Sequence, residues 1–125
     1  MNKYRYIFIL FLLCAVVGCG NNVKLGGKVT FPDGEPLSTG MIIFSNDGFL
    51  ARAEIKSDGI YDVGSLAEKD GLPPGKYKVY IIGAIEGEVD KLRSLIAPQY
   101  ASRDTTPLEI EVPGQDVYNI TVERP

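Results

Sequence analysis

Side chains that could act as catalytic bases are scarce in this sequence, because its 125 residues include no histidine. Histidine has an ordinary pKa near neutrality, and it activates the nucleophile in many serine and cysteine hydrolases. It is also a common ligand of zinc and iron. The sequence therefore excludes Ser-His and Cys-His pairs and His-ligated metal sites. We expect a protein that is not an enzyme and binds no cofactor or metal.

Two pairs of carboxylates have the spacing i, i+2: Glu86 with Glu88, and Glu109 with Glu111. A pair of carboxylates provides the catalytic groups of most glycoside hydrolases. On a strand, however, residues i and i+2 share one face. The Glu109 pair alternates with apolar residues that need the opposite face. We therefore expect these carboxylates on the solvated surface.

Four Asp-Gly pairs offer oxygen ligands of the kind that calcium accepts. They are Asp33-Gly34, Asp47-Gly48, Asp58-Gly59 and Asp70-Gly71. No complete EF-hand or Asp-repeat motif accompanies them. Asp-Gly is also the usual chemistry of tight turns, because Asp caps the turn and Gly accepts a positive φ. Turns are the favoured interpretation, and a metal site is the alternative.

Several tyrosines suggest a platform on which sugars could stack. They are Tyr61, Tyr77, Tyr80, Tyr100 and Tyr118. Tyr61 and Tyr77 alternate with the predicted buried positions and are expected in the core. The sequence has no tryptophan, the strongest stacking side chain. Carbohydrate binding is therefore a secondary hypothesis.

The thiol of Cys19 has a specific chemical context. Val16-Val17-Gly18-Cys19 resembles a bacterial lipobox, with an aliphatic residue three positions before the cysteine and glycine directly before it. The resemblance implies that Cys19 carries a thioether-linked diacylglyceryl group. Cys14 lacks this context because Leu13 precedes it, and it would leave with the leader.

The residues before Cys19 have the layout of a secretory signal peptide. Asn2–Arg5 is a short positive region, and Tyr6–Val17 follows without a charge. Twelve residues are too few to cross a bilayer as a helix, which needs about 20. We predict a signal peptide at 1–18. Plain secretion and an uncleaved anchor are the alternatives.

The predicted mature chain consists of a lipidated tether, residues 19–22, and one domain, residues 23–125. Without Lys3 and Arg5 the net charge falls to about −5, since 11 basic residues face 16 acidic ones. Nucleic acid is therefore an unlikely partner. We expect a monomer of the cell envelope, held outside the cytoplasm on a membrane by the lipid on Cys19.

After Asn22, apolar and polar residues alternate with the period of two that half-buried strands produce. Strands are predicted at 23–31, 41–44, 51–56, 60–63, 76–82, 108–112 and 117–123. We expect a hairpin turn at 57–59 and a C-terminal hairpin around 113–116. Seven short strands without a convincing helix predict an all-β fold, a single antiparallel β-sandwich.

Over nearly the whole predicted domain, the sequence resembles the carboxypeptidase regulatory-like, or transthyretin-like, lipoproteins known best from planctomycetes. The shared landmarks are Gly27–Phe31, Asp33–Leu37, Gly40–Phe44, Ser57–Tyr61, Leu72–Val79 and Pro107–Val112. At Ile96–Tyr100 the chain departs from the Ile-Pro-x-Lys-Tyr-like stretch of the family. The resemblance implies a transthyretin-like sandwich and brings no established enzymatic activity.

Residues 84–106 form a connection longer than the usual 4–6 residues. Met41, Ile43, Tyr80 and Ile82 alternate away from the core and would leave an apolar outer patch. Val89, Leu92, Leu95 and Ile96 have roughly helical spacing. We therefore predict a short amphipathic turn that covers the patch; a mobile loop is the alternative.

Two functional classes follow from these observations. The favoured one is a binding or structural module of the envelope whose partner is an unknown protein or glycan. The other is an enzyme on the same scaffold, such as the hydroxyisourate hydrolases or intradiol dioxygenases. Both families depend on histidine, which this chain lacks.

The lipobox-like motif predicts that radiolabelled palmitate enters the wild-type protein and not the Cys19→Ala variant. The physical reason is that the Cys19 thiol is the nucleophile that accepts the lipid. Equal labelling of the two proteins in an autoradiograph would contradict this prediction.

Overall fold

The structure is a computed structural model that describes residues 23–63, 71–114 and 116–125. The predicted signal peptide, the lipobox with Val16, Val17, Gly18 and Cys19, and Asp70 lie outside the described residues. In the described part, no helix is long and apolar enough to cross a membrane.

Within the described residues, the chain forms nine β-strands and one 3-10 helix. They are β1 (Leu25–Thr30), β2 (Met41–Ser45), β3 (Leu50–Glu54), β4 (Ile60–Val63), β5 (Gly75–Ile82), β6 (Ile85–Glu86), β7 (Arg93–Ser94), the 3-10 helix η1 (Pro98–Ala101), β8 (Glu109–Val112) and β9 (Ile120–Thr121).

Seven of the strands form the two sheets of a β-sandwich. One sheet has the order β4-β1-β9 and the other the order β3-β2-β5-β8. The strands β6 and β7 pair with each other as a separate hairpin. The predicted all-β sandwich is confirmed. One pair departs from the antiparallel expectation, because β9 runs parallel to β1.

The predicted C-terminal hairpin is wrong. Strand β8 pairs with β5 in one sheet, whereas β9 pairs with β1 in the other. The Pro-Gly segment between them therefore carries the chain across the sandwich. This crossing lets Ile110 and Ile120 enter the same core from opposite sheets.

The predicted turn at 57–59 is present, but it also joins the two sheets. The Gly59 N–H donates to the Lys56 carbonyl at 2.8 Å, and the Ile60 N–H donates to Asp58 Oδ1 at 3.2 Å. Strand β3 before the turn pairs with β2, and β4 after it pairs with β1. The turn is therefore a crossover between sheets.

The core lies between the sheets and contains strand residues that alternation predicted, together with Leu37, Leu72 and Ile96 from the connections. Tyr61 and Tyr77 are fully buried, and the Phe44 and Tyr61 ring centroids lie 6.0 Å apart at 41°. Other fully buried side chains are Leu25, Val29, Leu37, Ile42, Leu72, Val79, Ile81, Ile96 and Val112.

The buried Tyr61 hydroxyl makes a contact that orders the smaller sheet. It donates a hydrogen bond to the main-chain carbonyl of Tyr118. Gly27 on β1 lies beside this bond, and a Cβ there would be 2.0 Å from the Tyr118 oxygen. Only a residue without a side chain lets the two main chains approach so closely.

The long segment 84–106 differs from the predicted amphipathic turn. Val89 is 95% exposed and Leu92 55% exposed, so neither covers the sheet. Gly87 has a φ of 109°, and a Cβ there would lie 2.3 Å from the Lys91 carbonyl oxygen. The chain therefore turns sharply into the hairpin of β6 and β7 instead of continuing as a helix.

The later part of this segment does pack, as predicted. Ile96 is buried in the core and Leu95 is half-buried. The Leu95 N–H donates to the Ala84 carbonyl and the Ala97 N–H to the Glu123 carbonyl, both at 2.8 Å. These bonds tie the two sheets together at one end of the sandwich.

The predicted outer patch is only partly exposed. Ile43 is buried, whereas Met41 and Tyr80 are half-buried and Ile82 is exposed. The Arg103 guanidinium of the long segment reaches Asp47 in the β2–β3 turn at 3.3 Å. The part of the segment after η1 therefore returns along the four-stranded sheet.

Substituting Gly27 by alanine should lower the free energy of unfolding by about 3 kcal/mol, because the new Cβ separates two main chains and leaves the buried Tyr61 hydroxyl without its acceptor. Gly48→Ala is the control, since no atom lies within 4 Å of a Cβ there; its effect should stay within about 0.5 kcal/mol. Urea denaturation measures both changes. Similar stabilities for the two variants would refute the close-approach argument.

Ile96→Ala should destabilise the domain by about 2–5 kcal/mol, the usual range for truncating a buried isoleucine. Val89→Ala in the same segment should change stability by less than about 0.5 kcal/mol, because Val89 is exposed. Thermal unfolding followed by circular dichroism compares the two variants. Equal losses would mean that the packing of this segment is misassigned.

Candidate binding cleft

A cleft of about 720 Å³ lies at the end of the sandwich where β1 finishes. Its floor includes Phe31 and Leu37, and Leu95 lines it from the long segment. We call this the cleft end. The opposite end, where Val23 pairs with Leu72, is the Val23 end. The volume falls within the range of small-molecule sites.

The loop after β1 forms one wall of the cleft. The Phe31 N–H donates to the Glu35 carbonyl at 2.8 Å, and the Gly34 N–H donates to the Phe31 carbonyl at 2.9 Å. Asp33 Oδ1 accepts the Glu35 N–H at 3.0 Å, and Gly34 has a φ of 91°. Asp33-Gly34 thus makes a tight turn, as the sequence predicted.

Arg124 joins the C-terminal chain to this wall. Its guanidinium lies 3.1 Å from Asp33 Oδ2 and 3.4 Å from Glu35 Oε2. It also lies over the Phe31 ring, 4.0 Å from the centroid, in a cation–π contact. Phe31 therefore presents its ring face to Arg124 and not to a ligand.

These contacts favour the ionised form of Asp33. The pKa of Asp33 is lowered, chiefly by the hydrogen bond from the Glu35 N–H and further by the hydrogen bond and charge of Arg124, which together outweigh a loss of hydration. The carboxylate should therefore stay charged, and paired with Arg124, at mildly acidic pH.

The hairpin of β6 and β7 forms the other wall. Glu86 and Arg93 are register partners, and the Arg93 Nε donates to Glu86 Oε1 at 2.7 Å. A second guanidinium nitrogen of Arg93 contacts the same oxygen. Both side chains are largely exposed, so the pair adds little stability. The pair places one positively and one negatively charged side chain on this wall of the cleft.

The cleft has little accessible apolar floor, because Leu37 is buried and Arg124 covers the ring of Phe31. Its accessible apolar lining includes the exposed Pro36 and the half-buried Leu95. One wall carries two carboxylates and the Arg124 guanidinium, and the other carries the Glu86–Arg93 pair. Among the described residues, no three His, Cys, Asp or Glu side chains come together as a metal site. Asp33 and Asp58 each serve in a turn, and at Asp47-Gly48 the side chain of Asn46 caps the Gly48 N–H at 3.0 Å.

The remaining predicted candidates lie elsewhere. Glu109 and Glu111 are exposed on β8, and Glu109 is 3.8 Å from Lys76. Tyr61 and Tyr77 are in the core, as expected, and burial raises the pKa of both hydroxyls. Tyr100 is also buried, and the half-buried Tyr80 and Tyr118 lie at different sheets, so the tyrosines do not form a common stacking surface.

The sequence did not indicate the cleft residues Phe31, Arg93 and Arg124. Each resembles an ordinary strand-end or loop residue in the sequence. Glu86 was a candidate as half of a carboxylate pair, but its partner in the structure is Arg93 and not Glu88.

No protein-family model and no curated protein matches this sequence. Several solved structures resemble the fold. BcpA, the major pilin subunit of Bacillus cereus, has a TM-score of 0.55 and 9% identity over 83% of this chain and 30% of its own. The Bacillus anthracis TIE protein has a TM-score of 0.51 and 17% identity over 83% of this chain and 17% of its own.

A DUF3823 family protein from Bacteroides ovatus is 21% identical over 81% of this chain and 44% of its own, with a TM-score of 0.47. The chain thus spans less than half the length of each of these proteins. At such low identities, the likeness to BcpA and TIE shows the β-sandwich fold alone.

Arg124→Gln should raise the pKa of Asp33, because a neutral amide removes the positive charge beside the carboxylate. The pKa should stay below the ordinary value, since the Glu35 N–H remains. Arg103→Gln, which changes an arginine paired with Asp47, should leave Asp33 unaffected. NMR titration of the Asp33 side chain reads out both variants. An unchanged Asp33 pKa in Arg124→Gln would show that the ion pair does not form in solution.

Proposed function

We propose that this chain is a non-catalytic lipoprotein of the bacterial envelope that is anchored through Cys19 and binds a partner in the cleft. The β-sandwich is the binding module, and its transthyretin-like, carboxypeptidase regulatory-like character follows from the sequence landmarks. The lipobox-like Val16-Val17-Gly18-Cys19 supports the anchor.

The observation that carries this proposal is the placement of the two ends. The chain runs from Val23, four residues after Cys19, through β1 to Phe31 in the lining of the cleft. Eight extended residues rise roughly 26 Å at about 3.3 Å each. A domain tethered at its Val23 end therefore presents the cleft away from the membrane.

The cleft favours a protein partner over a glycan. Aromatic stacking is the main source of affinity for sugars, and the Phe31 ring face is covered by Arg124. The accessible lining instead combines Pro36 and the half-buried Leu95 with carboxylates and guanidinium groups, which suits a peptide segment that carries apolar and charged side chains. A carbohydrate-binding module or a hydrolase is a weaker alternative, because tryptophan and histidine are absent.

The test is crosslinking and affinity purification of the intact lipoprotein from membranes of its host. Ser38 lines the cleft and is exposed, so Ser38→Trp should fill the cleft without disturbing the core. Recovery of the crosslinked partner should fall at least tenfold. Ser57→Trp, at an exposed turn outside the cleft lining, is the matched control and should retain the partner. Equal recovery from both variants would contradict the cleft as the binding site.

A further inference from the structure

Exposed apolar side chains are concentrated on one short stretch of the chain. Seven large apolar side chains are exposed among the described residues, and four of them lie between positions 82 and 92. They are Ile82 (44%), Ile85 (46%), Val89 (95%) and Leu92 (55%). We call residues 82–94 the Val89 hairpin. Such a cluster on a monomer marks an interaction surface.

The Val89 hairpin has two different faces. Glu86 and Arg93 line the cleft described above. Ile85 instead lines a second hollow, of about 240 Å³, and its register partner Ser94 lines both the cleft and this hollow. Its other walls are mostly apolar and include Ile82, Ile96 and Ala101. An apolar hollow thus lies at the base of a hairpin whose tip carries the most exposed apolar side chain.

Within the described residues, β6 and β7 pair with each other and with no other strand. The two strands therefore lie outside both sheets of the sandwich, and Val89 between them has almost all of its surface exposed. Exposure of this kind costs free energy in water unless a partner removes the surface.

The charges around the tip argue against a lipid surface as that partner. Glu86, Glu88 and Asp90 would face anionic headgroups unfavourably. A protein partner suits the mixed charges better, because Lys91 and Arg93 lie on the same hairpin as the three acids.

The exposed apolar cluster adjoins the hollow, because Ile82 and Ile85 belong to both. A surface that carries a protruding apolar side chain and an apolar hollow can pair with a second copy of itself. A twofold axis places the protrusion of each copy against the hollow of the other, so both are filled at once. The same twofold axis can bring the acidic residues of one hairpin beside Lys91 and Arg93 of the other. A different protein would need only one of the two features.

We propose that the Val89 hairpin is a homodimer contact in which Val89 of each copy enters the hollow beside Ile82 and Ala101 of the other. This replaces the monomer expected from the sequence. The inference does not rest on the proposed partner in the cleft, because Val89 does not line that cleft. Copies anchored in one membrane would also meet at a raised effective concentration.

The first test uses the full chain in bacterial membranes, with two copies that carry different tags. Val89→Cys in one copy and Ala101→Cys in the other should give a disulfide-linked pair on mild oxidation. The control combines Ala101→Cys with Leu50→Cys, which is exposed on β3 at the Val23 end. We expect at least tenfold more linked pair with Val89→Cys, and equal yields would overturn the proposal.

Wild-type chains are oxidised in parallel. If Cys14 is removed and Cys19 carries lipid, they give no linked pair. Linkage of wild-type chains would indicate a failure of processing and not of the dimer contact.

The second test measures the mass of the detergent-solubilised full chain by analytical ultracentrifugation. Wild type and Leu50→Asp should sediment as dimers, and Val89→Asp as a monomer. Recovery of the cleft partner by Val89→Asp is measured alongside, so that loss of the dimer and loss of cleft binding are distinguished. A monomeric wild type, or a Val89 crosslink to a different protein, would overturn the proposal.

Discussion

The hydroxyl group of Tyr61 is the interaction on which the smaller sheet depends. The side chain lies in the core, where an unpaired hydroxyl would cost about 1–3 kcal/mol. Its acceptor is the Tyr118 carbonyl, which reaches it only because Gly27 has no side chain. Tyr118 N–H also donates to the Gly26 carbonyl at 2.8 Å. These contacts hold the C-terminal chain beside β1 and fix β9 parallel to it.

The arrangement of the cleft follows from that placement. Once β9 runs parallel to β1, the chain beyond it arrives at the loop that follows β1, and Arg124 meets Phe31, Asp33 and Glu35. The Glu123 carbonyl then receives the Ala97 N–H, which brings the long segment across the end of the core. Strand β1 thus leads from the Val23 end to Phe31 in the cleft, and the chain after β9 brings Arg124 to one wall and holds the long segment at Ala97.

The sequence correctly predicts which side chains of a strand are buried, because this burial follows the period-two alternation. Tyr77, Val79 and Ile81 are buried as expected, because burial on one face of a strand is a local property. Which strands pair is not a local property. A Pro-Gly turn has the same sequence whether its flanking strands pair with each other or enter different sheets. The hairpin predicted for β8 and β9 is wrong for this reason. Val89 and Leu92 show helical spacing, but Gly87 turns the chain into a hairpin. Nothing near Arg124 in the sequence indicates Phe31, 93 residues away.

The proposed anchor on Cys19 requires that the Val23 end faces the membrane and that the cleft end faces away from it. Energy transfer from a fluorophore on the lipidated, vesicle-reconstituted protein to acceptor lipids measures this directly. Gly48→Cys labels the β2–β3 turn at the Val23 end, and Ser57→Cys labels the turn before β4 at the cleft end. We expect the label at position 57 to lie about 25 Å farther from the bilayer, because β1 and its flanking residues span about this length between the two ends. Equal transfer from the two positions, or stronger transfer from position 57, would contradict it.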